Sequence, residues 1–215
     1  MNNIFVFWTG NNNLTKNRIE SLKQLRITCG ANIILVTEET LNEYILKSEQ
    51  LHPAYEFLSF THRADYLRTY FMNFYGGGYS DIKKTTGCWT ESFEKLKNSD
   101  KWIIGFSEPN ANCIAGSKEL KKEWRYLVSN GCYICKRQSP LTKEWYKDMI
   151  LLLDGKLQAL KKYPASFPQD RAEIVNSHYP IEWNEMLGRI FHRICFKYKN
   201  KILNTLPRCV LNNYR

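Results

Sequence analysis

Long apolar runs are missing from this 215-residue chain. The longest, at residues 4–8, 33–36 and 149–153, fall far short of the ~20 residues a membrane helix needs. A basic leader is missing too. Met1-Asn2-Asn3 runs straight into an apolar, β-prone stretch, so the expected location is the cytoplasm, with no membrane span. Cysteine is present without a framework. Seven cysteines, an odd number, lie scattered at 29, 88, 113, 132, 135, 195 and 209, which points to reduced thiols rather than disulfides. Cys132-Tyr133-Ile134-Cys135 is a lone C-x-x-C with no second pair at zinc-ribbon spacing, and buried strand cysteines are its reading. There are four histidines and no H-E-x-x-H. The phosphate loop G-x-x-x-x-G-K-[ST] is absent, as is G-x-G-x-x-G after the first strand. These absences argue against a P-loop nucleotidase and a dinucleotide oxidoreductase. No repeat, low-complexity run or linker divides the chain, so residues 1–215 are expected to form one domain.

What the chain does have is apolar content, aromatics and positive charge. Hydrophobic residues make up 43%, enough for a packed core and against disorder. The formal net charge of +10 draws polyanions. It fits a phosphorylated small molecule, and equally a non-enzymatic nucleic-acid-binding domain. No RNP-like or other nucleic-acid motif supports the latter, so nucleic acid is not the expected partner. Oligomeric state has no sequence signal.

Residues 3–8 read as a buried strand, followed by a turn at 9–13 and a helix over 15–29 with Ile19, Leu22 and Leu25 on one face. Gly30 sits where a helix-ending glycine would. Residues 33–36 read as a second buried strand. This β-α-β opening predicts a mixed, mainly parallel α/β sheet flanked by helices, with ligand outside the carboxyl ends of the strands. Trp8 and Thr9 lie at one such end. The clearest helix is predicted over 61–75, with Leu67, Tyr70, Phe71 and Phe74 as its core face. His62, Asp65 and Arg68 recur on another face. Three glycines at 76–78 end it, and 79–82 read as a short strand. Further strands are expected near 102–106 and 131–135. Helices are expected near 118–129, 140–153, 169–177 and 182–196, with the last forty residues helical and basic.

The chemistry concentrates in His62-Arg63-Ala64-Asp65-Tyr66-Leu67-Arg68 and Tyr75-Gly76-Gly77-Gly78-Tyr79-Ser80-Asp81-Ile82-Lys83. An acid and a base share one helix face, a glycine turn follows, and a carboxylate ends a short strand. Taken alone, Asp65 and Arg68 read as a surface ion pair worth a few tenths of a kcal/mol, Trp8 as core and the glycines as a helix stop. Together they suit metal-assisted sugar transfer. A divalent cation on carboxylate oxygens offsets the charge of a diphosphate leaving group, and glycines let backbone approach that diphosphate.

In this order the residues resemble the D-x-D glycosyltransferases of the GT-A fold, a group that includes capsular-polysaccharide and mannosyltransferase-like enzymes and the clostridial glucosylating toxins. The chain is most similar to the small glycosyltransferase domains of chlorella viruses, which implies the host-cell cytoplasm as its location. The motif covers about residues 61–90, with a weaker likeness from the first strand to residue 196. The resemblance implies a Rossmann-type GT-A-like domain with a helical C-terminal segment. It also implies Mn²⁺ or Mg²⁺, a UDP-sugar donor such as UDP-glucose or UDP-rhamnose, and a glycan acceptor. By position, Trp8 would stack on the base and Thr9 would help seat it. Asp65 would bind the nucleoside and Arg68 would organise the diphosphate or sugar. Tyr79 and Ser80 would line the diphosphate, and Asp81 would hold the metal.

The second acid of D-x-D is Lys83 here, which cannot ligate a cation at neutral pH. Either a distant ligand such as His178 or Glu182 completes the metal site, or Lys83 replaces part of the metal's electrostatic role. A degenerate transferase that binds donor without turnover is the further alternative. Phe167-Pro168-Gln169-Asp170 and Ile181-Glu182-Trp183-Asn184 carry a weaker likeness to donor-sugar segments. Asp170 is the candidate for sugar contact or catalysis, with Glu173 and Glu108 as other possible bases for an inverting reaction. The toxin-like motif favours retention.

Overall fold

Asn3–Trp8 alternates large side chains between two faces and forms strand β1, whose four central residues are buried. Residues 2–213 are described by the computed structural model. Phe5 and Phe7 point into one core, Ile4 and Val6 into another. This is the period-two signature of a strand covered on both faces. The helix α1 (Lys16–Thr28) follows, its N-terminus capped by the Thr15 hydroxyl and its end turned by Gly30 at φ +68°. Leu22 and Leu25 bury, while Ile19 is 55% exposed, so the apolar face is narrower than expected. Strand β2 (Asn32–Thr37) pairs in parallel with β1 but lies at the sheet edge. With one neighbour instead of two, Ile33, Ile34 and Leu35 are only half-buried, against the expectation of a buried strand.

Helix α2 (Phe60–Phe74) is capped by Ser59, whose hydroxyl accepts from the His62 amide. It is buried almost all round, His62, Asp65 and Arg68 included. Strand β3 (Gly77–Ser80) starts inside the glycine run and pairs in parallel with β1. The chain continues through α3 (Thr90–Lys97), β4 (Ile103–Ser107), α4 (Lys118–Lys122), β5 (Val128–Cys135), α5 (Pro140–Lys162), α6 (Gly188–Lys197) and β6 (Ile202–Leu203). The sheet order is β2-β1-β3-β5-β4-β6, with β5 alone running against the rest. Helices α2, α5 and α6 cover the Phe5/Phe7 face, and α1 and α3 the Ile4/Val6 face.

The helix expected over 118–129 stops at Lys122, because the buried Leu127 and Val128 are drawn toward and into β5. The helix expected over 169–177 does not form. The Asp170 carboxylate instead accepts from the Ser166 amide and the Ser177 hydroxyl, a local alternative to helix, and Asn176 is left-handed at φ 69°. The late helix begins at Gly188, not 182. Beyond it only a 3-10 turn at Lys199–Lys201 is helical: β6 pairs with β4, and Arg208 and Val210 exchange backbone hydrogen bonds with residues 84 and 86. The expected single domain and helical tail also included residues 1, 214 and 215, which lie outside the described residues.

Candidate functional site

The carboxyl ends of β1 and β3 are neighbours in the sheet, and a cavity of about 250 Å³ opens above them. Such crevices are where open α/β sheets bind ligands. Trp8, Thr9, Gly10 and Asn12 form one wall, with Arg18 from α1. Phe60, Thr61, Ala64 and Arg68 of α2 form a second, and Tyr79, Asp81, Ile82 and Lys83 the floor. Pro168, Gln169 and Trp183 close the far side.

Asp81 is the hub. Its backbone amide donates to the Gly131 carbonyl across the β3–β5 pair (2.8 Å). The Tyr79 hydroxyl donates to Oδ1 at 2.6 Å, and Lys83 Nζ donates to Oδ2 at 2.7 Å. The Arg68 guanidinium lies 3.4 Å from Oδ1 and 3.3 Å from Asp65 Oδ1. It also donates to the Asn130 carbonyl (3.0 Å) and covers the Tyr79 ring at 4.6 Å. Burial works against the Arg68 charge, but Tyr79, Asp65 and Asp81 hold its pKa above the ordinary value. Burial also acts against ionised Asp81, yet the Lys83 and Arg68 charges beside it keep its pKa at about 2. Asp65 goes the other way. Burial lifts it to about 6, only partly offset by Arg68. Asp65 and Arg68 are therefore no surface pair. Their side chains are 4% and 10% exposed.

Trp8 is half-buried, its indole N–H donating to the Asn12 carbonyl (2.6 Å). The Arg18 guanidinium stands 5.9 Å from its ring and donates to the Ile82 carbonyl (3.0 Å). Arg18 thus ties the turn between Asp81 and Lys83 to α1. Thr9 accepts from the Tyr55 hydroxyl (3.4 Å).

Of the residues expected from sequence, Trp8, Thr9, Arg68, Tyr79, Asp81 and Lys83 meet at this cavity. Asp65 and Ser80 stand behind it, Asp65 on Arg68 and the Ser80 hydroxyl on the Asp81 carbonyl. The other candidates are elsewhere. Asp170 and His178 line a different cavity, beyond the 166–170 loop. His178 is exposed and packs on Tyr163. Asp170 is buried and fully engaged in holding the 166–177 loop, so it positions Pro168 and Gln169 rather than facing the site. Glu108 accepts from the Asn130 amide, Glu173 from the Trp183 amide, and Glu182 pairs with Arg189. Trp183 comes from the 181–184 segment that resembles donor-sugar segments, whereas Arg18 is a lining residue that sequence reasoning misses. Arg18 sits on a helix face whose pattern reads as solvated, and no local signal marks it. The glycine run is also reassigned. Gly76 and Gly77 have φ of +65° and +79°, and a Cβ on Gly77 would stand 2.8 Å from the Asn3 carbonyl. They let β3 start tightly against β1, at the end of the strand away from the cavity.

A divalent cation at a diphosphate site takes one or two free carboxylates beside water and phosphate oxygens. Among the described residues no cluster of three or more histidine, cysteine, aspartate or glutamate side chains could hold one. Both Asp81 oxygens already accept from cationic or hydroxyl donors. The side chains present do not fit Mn²⁺ or Mg²⁺.

The sheet order, the single reversed strand and the cavity at the carboxyl ends of β1 and β3 define a GT-A-like glycosyltransferase fold. Among solved structures the chain is similar to PaToxG glycosyltransferase, with a TM-score of 0.50 and 10% sequence identity, over 92% of this chain and 68% of that one. At that identity the likeness establishes the fold alone. No protein-family model and no curated protein sequence matches the chain. Among the described residues no helix is long and apolar enough to cross a membrane.

Proposed function

We propose that the chain transfers a sugar from a nucleotide-diphosphate sugar, a UDP-sugar, to a hydroxyl of a glycan acceptor. The observation that carries this reading is the convergence of an aromatic ring, Trp8, and a cationic floor, Arg68 and Lys83 about Asp81, in one crevice of a GT-A-like sheet. Trp8 offers a face for the base, and Thr9 a polar group beside it. Arg68 and Lys83 meet the diphosphate, whose negative charge grows as the bond to the sugar breaks. Fixed cations aimed at developing charge stabilise that transition state. Trp183 and Gln169 close the sugar end.

Retention of configuration is the stereochemistry we favour. Inversion needs a carboxylate base beside the acceptor hydroxyl. Of the described residues lining the cavity, Asp81 alone carries a carboxylate, and it is bound to Tyr79 and Lys83. In a retaining reaction the departing phosphate oxygen takes the acceptor's proton. UDP-glucose and UDP-rhamnose are the first donors to test, with release of UDP as the readout. Multiple turnover of one donor, lost in Arg68→Ala, is expected. A donor that binds but never exceeds one equivalent of UDP released would identify a degenerate, binding-only transferase.

A further inference from the structure

We infer that this site, read as a diphosphate site, works without a divalent cation: the Lys83 ammonium, seated on Asp81, supplies the positive charge. Three observations carry it. Lys83 Nζ occupies Asp81 Oδ2 at 2.7 Å. Oδ1 is taken by the Tyr79 hydroxyl and faced by Arg68. A cation arriving here would displace an ion pair and stand against two like charges.

Nor is there a second anchor among the described residues. Asp65 is committed to Arg68, and His178 belongs to another cavity. The charge balance of the lining completes the case. Among the described residues Arg18, Arg68 and Lys83 line the cavity against one carboxylate, that of Asp81. Such a lining is already complementary to a diphosphate. The cluster is also held in place before ligand arrives. Lys83 is only 8% exposed, its amide donates to the Asp81 carbonyl (2.7 Å), and Arg18 fixes the intervening Ile82 carbonyl. Asp81 is thus a positioning residue for Lys83 rather than a metal ligand.

The test is calorimetric titration of UDP into the intact chain at physiological salt, once with EDTA and once with Mn²⁺. Affinities that agree within about twofold are expected, since a charged hydrogen-bond donor is already in place. Lys83→Ala should weaken UDP binding roughly 10- to 100-fold, and Lys83→Arg, which keeps the charge, should retain most of it. Lys83→Asp, which restores the second acid, should bind UDP only with Mn²⁺. Wild-type binding that requires Mn²⁺, or that is unchanged in a folded Lys83→Ala, overturns this inference and leaves the donor site standing. No UDP binding in either condition overturns both.

Discussion

Asp65 and Asp81 touch the same guanidinium, yet their carboxyls titrate at opposite ends of the acid range. Asp81 lies partly in the cavity, where Lys83 and Arg68 outweigh burial. Asp65 sits behind Arg68 with a single cation, and there burial wins. The two contribute to stability with opposite sign. Asp81, at about 2, stabilises the fold above the unfolded value near ~4 and loses that contribution as pH falls toward ~2. Asp65, at about 6, keeps its proton in the folded state after the unfolded chain has lost it. Stability therefore falls as pH rises from ~4 to ~6, by on the order of 2 kcal/mol. Asp65→Asn should abolish that decline, which urea denaturation at ~pH 4 and ~pH 7 will show. A decline of unchanged size in the variant would assign it to another group. The sequence could pair Asp65 with Arg68 by spacing. It could not show their burial, because a three-residue step on an isolated helix reads as solvated, and only packing of α2 against β1, β3 and α5 takes it out of water.

Elements built from local pattern were the legible ones. Strand β1, helix α1 with its Gly30 end and helix α2 follow from alternation, periodicity and caps. Elements set by long-range pairing were not. The edge position of β2, the early start of β5 and the two-residue β6 depend on which strands lie alongside. The glycine run shows the same divide. Its existence marked a turn, but its reason lies in the Asn3 carbonyl of another strand. Gly77→Ala should cost roughly 2 kcal/mol or more, from positive φ and that close approach, seen as a lower denaturation midpoint. The 166–177 loop is a second element whose order comes from one side chain. Asp170→Ala leaves the part-buried Ser166 amide and Ser177 hydroxyl without their acceptor and should cost about 1 kcal/mol. Because that loop carries Pro168 and Gln169 to the cavity, the variant should weaken intact donor more than UDP. Equal losses for both ligands would remove the loop from the sugar end.

At the scale of the whole molecule, the net charge of +10 has two components. One is local: Arg18, Arg68 and Lys83 in the cavity. The other is the excess of lysine and arginine spread elsewhere over the chain; surface pairs such as Lys197 with Glu144 and Arg193 with Asp148, which tie α6 to α5, cancel in that sum. A dispersed surface predicts weak oligonucleotide binding that fades steeply with salt. Fluorescence anisotropy with single-stranded and duplex DNA at physiological ionic strength checks this. Tight, salt-resistant binding would favour a nucleic-acid role. The fold class was legible because β-α-β order and a strand-end motif survive in sequence. The full site was not, since Arg18 enters from a helix face whose local pattern gives no reason to look.

The most direct measurement is a crystal structure of the chain with UDP. The uracil should stack on Trp8 and the diphosphate should contact Lys83 and Arg68 above Asp81. UDP bound away from these residues, or an empty cleft at saturating UDP, would contradict the account.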